Sequence, residues 1–444
     1  MNGRQARTRM DPSVESSMEN AVGDLIRRAP SICGLGLVLD EAAFLERLEG
    51  AAPNAELRGA EITYISLRIP HLCRVGYRVD VGGTVLDLDV RTGRHEDFAE
   101  WQVDEFREPI PGPLGTGRIL FEDEAIVINV FPNDAKLRQI QHLTNGEELG
   151  SVLRDLFPDR SELWDCELRA LRYRPERRFV GELRGARGEH AVVKACTRRA
   201  YVRSKRNAMA FQPDGPLRIA RLIGASDDRR LLAYEWLPGR ALFDIYMDPD
   251  ADSWPMAVAG AALATMHAQQ PEGLSYWTRE SEVAHLRAVA EEIAFVYPPL
   301  ADRAEAVARR FEQRLPATAR DPVAIHGDIS ARHLLVDEHQ TGIIDLDWAC
   351  YGDAADDLGY LVAHVERAAV RGKTPADRVD QFREAILEGY GRADDPELRK
   401  RIDLYTGIGL FQQARFPFRS WRPDWPESTE SLLARTECYA NGLH

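Results

Sequence analysis

The sequence predicts an α+β chain in which a β-rich lobe precedes a mainly helical lobe, with a further α/β segment ahead of both. Three observations support this. Residues Leu171 to Ala195, LRYRPERRFVGELRGARGEHAVVKA, read as two strands joined through a Gly-containing turn, and LLAYEWLPGRAL from Leu231 adds a strand stopped by Pro238-Gly239. Between Ser253 and Tyr390 several segments have a helical pattern. The stretch Ala324 to Gly359, AIHGDISARHLLVDEHQTGIIDLDWACYGDAADDLG, interrupts them with a hairpin that carries His and Asp at its open ends.

Taken in order, the basic start MNGRQARTRM lacks the apolar core of a signal peptide, and disorder is expected there. From Glu61 the segments ITYISLRIP, CRVGYRVDV and TVLDLDV read as strands, the last two joined across Gly82-Gly83 as a hairpin. The turn-rich PIPGPLGTG, Pro109 to Gly117, is the expected boundary. The expected domains are therefore 1–117, a β-rich lobe with its connector over 118–237, and a helical lobe over 238–444. A strand from Ala125 to Phe131 and a helix from Gly146 to Leu156 open the second. The helical lobe is expected to hold helices at Ser253–Gln269, Ser281–Tyr297, Asp302–Leu315, Leu361–Ala369 and Pro375–Tyr390. A constant offset also pairs Pro70, Val75, Gly76 and Gly83 with Pro175, Val180, Gly181 and Gly188, and sets Asp89 against Lys194.

Composition excludes several classes. At 444 residues and 44% hydrophobic content the chain has room for two or three cored domains. A net charge of −14 argues against general nucleic-acid binding, which depends on neutralising phosphates, and suits a cationic substrate. Six scattered cysteines without a C-x-x-C pair point to a reducing cytoplasm. The uncharged run Ser253 to Pro271 is Ala-rich and contains His267, Gln269 and Gln270, so it reads as a buried helix and no membrane partner is expected. Arg198, Arg199, Arg203, Lys205 and Arg206 form a charge run, read as a solvated face before a phosphate- or partner-binding one. The late mixture of Phe411, Phe416, Phe418, Trp421 and Trp425 with arginines reads as core packing before base stacking.

The hairpin carries the chemistry. His326-Gly327-Asp328 ends a short apolar lead, His333 follows five residues after Asp328, and Asp345 and Asp347 come after the expected turn at Asp337 and Gly342. Phosphoryl transfer needs one carboxylate at the attacking hydroxyl and others against the phosphates, which this spacing can supply. On a regular strand Asp345 and Asp347 would face the same side.

The spacing resembles the catalytic and metal loops of the protein-kinase-like superfamily. The Gly of His326-Gly327-Asp328 and the later Gly352, Asp353, Asp357 and Leu358 are similar to the aminoglycoside phosphotransferase family. The resemblance implies a two-lobed protein-kinase-like fold and transfer of a phosphoryl group from ATP, or GTP, to a hydroxyl of an aminoglycoside-, choline- or sugar-like molecule. It implies Asp328 as catalytic base, Lys194 on the nucleotide phosphates, and Glu235, Trp236 and Leu237 at the base of the nucleotide. It further implies Mg²⁺, or Mn²⁺, on Asp345, with Asp347 and His333 as the other candidate metal residues. Where the family has Asn this chain has His333, and imidazole suits softer ions than Mg²⁺. No Gly-rich loop precedes Lys194, and no Asp or Glu lies between Lys194 and Asp214 to pair with it from a helix. Two other readings stay open: a nucleotide-binding scaffold without turnover, and a protein kinase. The acceptor and the oligomeric state are not specified by these residues.

Overall fold

The period-2 alternation on either side of Gly82-Gly83 folds as the expected hairpin, because both glycines adopt the positive φ the turn requires. The structure, a computed structural model, describes residues 12–104, 109–248, 250–315 and 321–442, so the N-terminal stretch expected to be disordered lies largely outside the described residues. The chain divides into two compact units, one of residues 1–135, 290–304 and 414–431, the other of residues 136–289, 305–413 and 432–444.

The first unit is built on one sheet of β1 (Leu57–Arg68), β2 (Leu72–Val81), β3 (Thr84–Gly93), β4 (Arg118–Phe121) and β5 (Ile126–Val130), in the order β1-β2-β3-β5-β4. One sheet face buries Val75, Tyr77, Leu88, Val90, Ile126 and Ile128 in the core. Phe44, from the helix Glu41–Ala51, stacks on Tyr77 with ring centroids 4.1 Å apart. Here the expected boundary at 117/118 gives way: β5 pairs with β3 (Val90 opposite Ile128) and β4 with β5, so 118–130 completes this sheet. The late aromatic segment also contributes: Phe418 and Trp425 are buried in this core, while Arg415 and Arg419 pair with Glu292. These rings pack; they do not form an open stacking face.

The second unit starts with a sheet of β6 (Glu167–Arg174), β7 (Arg178–Arg184), β8 (His190–Cys196), β10 (Leu222–Ser226) and β11 (Leu231–Glu235); β9 is the short strand Leu217–Ile219. Its order, β6-β7-β8-β11-β10, is the order of the first sheet, strand for strand. The offset seen in the sequence thus reflects two sheets of one topology, with Asp89 on β3 and Lys194 on β8, both third in their sheets. Where Lys194 is buried, so is Asp89, which pairs with Arg74 at 3.1 Å.

The remainder of the chain is largely helical, with helices at Trp254–His267, Arg279–Val296, Ala301–Arg314, Ala354–Val370 and Asp377–Tyr390, close to the expected positions; apart from residues 290–304 they fall in this unit. A helix at Pro396–Gln413 was not foreseen. Two small sheets carry the His- and Asp-rich stretch: β12 (Arg240–Ala241), β14 (Leu334–Asp337) and β15 (Gln340–Ile343) with β9, and β13 (Val323–Ile325) with β16 (Cys350–Gly352). Gly342, expected in the turn, instead lies inside β15 opposite Leu335, and Glu338 takes the left-handed turn position.

Candidate active site

Lys194 stands on β8, flanked by β7 and β11, and its neighbours Val193 and Ala195 are fully buried. Only an ionic partner makes a lysine tolerable there. The partners are Asp345, 2.9 Å from Nζ, and Asp347, in still closer contact. Burial works against the Lys194 charge, yet the two carboxylates hold its pKa above the ordinary lysine value. Asp345 also accepts from Arg178 of β7 at 2.6 Å. Burial would raise the Asp345 pKa, but Lys194 and then Arg178 outweigh it and keep the acid well below its ordinary value.

The pair does not reach Lys194 by strand alternation. Asp345 has left β15, with φ 65° and ψ 45°, and Leu346–Trp348 forms a single turn of 3-10 helix. This left-handed residue is a local strain of the kind found where function fixes the backbone. The turn is clamped by Asn207, a fully buried residue of the helix Arg198–Ala208, whose Nδ2 donates to the carbonyls of Leu346, Asp347 and Ala349 at 3.1–3.2 Å. The helix that lacks an acid for Lys194 therefore acts through an amide, and Asp347 supplies the second carboxylate.

Asp328 lies on the loop after β13. Gly327 has φ 74°, and a Cβ on it would lie 2.5 Å from the Trp348 carbonyl oxygen, so only glycine fits. Asp357 anchors the loop: its carboxylate accepts from the backbone N–H of His326 (2.7 Å) and of Gly327 (3.1 Å), and it meets His267 Nε2 at 3.1 Å. Asp353, five residues from the end of that motif, caps the helix Ala354–Val370 through the Ala355 N–H. The motif Gly352, Asp353, Asp357 and Leu358 thus ties a helix start to the His326–Asp328 loop. Among the described residues the Asp328 carboxylate makes no hydrogen bond or ion pair. Solvent reaches it, but protein crowds around it. That crowding raises its pKa, His326 opposes the rise and Asp345 adds to it.

His333 stacks on His326, centroids 5.3 Å apart, and its Nδ1 lies 3.1 Å from the Asp328 carbonyl. A carbonyl only accepts, so Nδ1 carries the proton and Nε2 turns a lone pair toward Asp345 Oδ2 at 3.7 Å. Burial, then the neighbouring His326, pushes His333 down to about 3, so the ring is neutral. Among the described residues no three His, Cys, Asp or Glu side chains converge as a ready metal site. The oxygen donors of Asp345 and Asp347 nonetheless suit a hard ion, and the acceptor-to-acceptor approach of His333 and Asp345 is one that a cation would relieve.

Lys194, Arg178, His333, Asp345 and Asp347 line one cavity of ≈ 370 Å³ together with Val180, Val192 and Leu335; Asp328 is not among its lining residues. Glu235, Trp236 and Leu237 close another side. Glu235 ends β11 opposite Ala191 and pairs with Arg221 at 2.8 Å, while Trp236 stacks on His190. Among the described residues Trp236 and Leu237 take part in no strand ladder or turn hydrogen bond. Sequence reasoning missed Arg178, Asn207 and His267. The signals were slight: a lone Asn among Tyr201, Ser204 and Ala208 on one helix face, and an arginine at a strand start.

A β-rich lobe with a buried lysine on its third strand, set against a helical lobe whose loops bring carboxylates to that lysine, is a protein-kinase-like two-lobed fold. Residues 183–401 match the Phosphotransferase enzyme family, APH, and this part of the chain belongs to it. It is a phosphotransferase with an alcohol group as acceptor, acting on a small molecule. No curated protein matches the chain. Similar solved structures include a choline kinase from Cryptosporidium parvum Iowa II, 10% identical, TM-score 0.49, over 67% of this chain and 96% of that one. Another is the GDP complex of aminoglycoside 2'-phosphotransferase-IIIa, 18% identical, TM-score 0.47, over 67% and 100%. A macrolide 2'-phosphotransferase from Brachybacterium faecium is 17% identical, TM-score 0.40, over 60% and 91%. No described helix is long and apolar enough to cross a membrane.

Proposed function

We propose that the chain moves the γ-phosphoryl group of ATP, or GTP, to a hydroxyl of a small molecule, with Asp328 as the base. The observation that carries this reading is the meeting of Lys194 with Asp345 and Asp347 in a cavity whose far wall is Glu235–Leu237. The backbone of Trp236 and Leu237 holds the nucleotide base, and Lys194 with Arg178 attracts the phosphates. Asp345 and Asp347 would hold Mg²⁺, or Mn²⁺, with His333 beside them; the ion supplies charge neutralisation at the phosphates. Asp328, free of partners, accepts the proton of the acceptor hydroxyl as its oxygen attacks the γ-phosphorus and the nucleoside diphosphate leaves. Positioning and electrostatics supply the rate, since no covalent intermediate with the protein is required.

The test is Asp328→Asn. ADP formation that depends on an acceptor should fall by roughly 10²–10⁴-fold, with nucleotide affinity nearly unchanged. Near-native turnover in this variant would exclude Asp328 from the chemistry, whereas a wild type that binds nucleotide but forms no ADP with any acceptor would favour a nucleotide-binding scaffold.

A further inference from the structure

A second and larger cavity, ≈ 800 Å³, is lined in part by Trp348, Ala349 and Cys350, the residues that follow Asp347. One wall is the helix Arg198–Ala208, which presents Arg198, Arg199, Arg203 and Arg206; the facing wall is Tyr276, Trp277 and Trp348. Among the described residues no Asp or Glu lines it. In a chain of net charge −14, such a surplus of guanidinium groups is conspicuous. Among the described residues Arg198, Arg199 and Arg203 form no ion pair, and Arg203 Nε is buried without a hydrogen-bond partner. Arg198 and Arg199 stand in the first turn of a helix with no acidic residue there, where the helix dipole disfavours cations. Burial depresses the Arg203 pKa, Asp347 opposes this, and Arg199 and Arg206 add to it. Like charges collected at this cost mark a place where an anion supplies the missing partner.

The aromatic wall is open as well. Tyr276 is 64% exposed and Trp348 46%, and the Arg203 guanidinium lies 3.6 Å over the Trp348 ring. Large apolar groups exposed together and rimmed by charge mark a ligand groove. The groove adjoins the reacting loops: Trp348 directly follows Asp347, and Cys350 Sγ is 3.1 Å from where a Cβ on Gly327, the residue before Asp328, would stand. An ammonium ion here would face four guanidinium groups with no carboxylate to receive it.

We propose that this groove seats the acceptor, and that the acceptor is an anion, a hydroxylated molecule carrying a carboxylate or phosphate on an aromatic or similarly flat apolar body. The arginines take the charged group and the tryptophan and tyrosine rings take the flat body. The expectation of a cationic acceptor, drawn from overall charge and from aminoglycoside- or choline-like relatives, then fails locally. The assignment of the bound molecule as acceptor rests on the phosphotransfer reading above, whereas the anion preference of the groove does not.

The experiment is a tryptophan-fluorescence titration of the full chain at saturating ADP, which fills the nucleotide cavity, with phenyl phosphate, benzoate and benzylammonium as probes. Saturable quenching by phenyl phosphate or benzoate, and none by benzylammonium, is expected; whichever anion binds more tightly identifies phosphate or carboxylate as the recognised group. Arg199→Ala with Arg203→Ala should weaken that binding at least tenfold, with ADP affinity retained as the check on folding. The exposed single variant Arg199→Glu should weaken it too, and added KCl should lower wild-type affinity. Equal binding of benzylammonium, no binding of either anion, competition with ADP, or unaltered affinity in the arginine variants would each overturn the assignment. Absence of acceptor-dependent ADP formation in the wild type would remove the phosphotransfer reading while leaving these anion-binding results as they are.

Discussion

Lys194 Nζ sits 2.9 Å from the Asp345 carboxylate, joining residues 151 positions apart in the chain. Only 6% of Lys194 is exposed, so the contact is an ion pair in a low-dielectric setting, and either charge without the other would be costly.

Lys194→Ala leaves Asp345 with Arg178 but strips Asp347 of its cation. A loss of about 3 kcal/mol is expected, the scale of breaking a buried pair. Calorimetry should show a lower Tm, and ADP, which stabilises the wild type by mass action, should give little further increase. A variant that keeps the full ADP-dependent rise would place the phosphates elsewhere.

Asp347→Ala should lose Mg²⁺-supported activity nearly as fully as Asp345→Ala, because both carboxylates come from the same clamped turn. His333→Asn should keep or raise that activity, since an amide oxygen serves Mg²⁺ better than imidazole does. Rates in Mg²⁺ and Mn²⁺, with Mn²⁺ binding followed by electron paramagnetic resonance, decide the matter. An active Asp347→Ala enzyme beside a dead His333→Asn one reverses the assignment.

The Asp328 pKa is raised above the ordinary aspartate value by burial, and in its proposed role as base it must be ionised. The acid limb of kcat/KM should therefore fall above the ordinary Asp range, activity being lost as pH drops through the raised value. The linkage has the opposite sense for folding. An acid whose folded pKa is raised stabilises below its unfolded pKa, and that contribution disappears as pH rises through the folded one. Asp328→Asn should accordingly have a slightly higher Tm than wild type at neutral pH, and a lower Tm there would contradict this account.

Asp357 behaves the other way. Burial would raise its pKa, but His267 and His326 overcome this and lower it. Its contribution is thus present above the unfolded pKa and lost as pH falls through the folded value. Asp357→Ala leaves two backbone N–H groups and His267 unsatisfied, at a cost of about 3–5 kcal/mol, and kcat should fall with it as the Asp328 loop loosens. Denaturant unfolding at neutral pH and at pH about 3 should show the gap between wild type and variant shrinking in acid.

Much of the site was legible because its parts lie in one short stretch. Asp328, His333, Asp345 and Asp347 fall within twenty residues whose alternation specifies a hairpin, and β14 pairs with β15 as local patterning requires. The outlines of most helices in the second unit were legible for the same reason, since amphipathic spacing is a local property. The helix Pro396–Gln413 escaped because its latter half is buried all round, from Leu404 to Gln413, and so shows no polar face to set a period.

What sequence by itself determined here was the spacing of the reactive carboxylates, the turns that separate them, and an N-terminal hairpin echoing a later one. Tertiary structure alone decided that 118–130 joins the first sheet, because strand partners are chosen by long-range packing and not by the alternation within a strand. It also decided that Asp345 would leave its strand in a left-handed turn, that Asn207 would hold that turn, and that Asp347 would supply the acid missing from the Arg198–Ala208 helix. Each of these depends on side chains that are distant in sequence meeting inside a core, where burial makes an ion pair or an amide clamp obligatory.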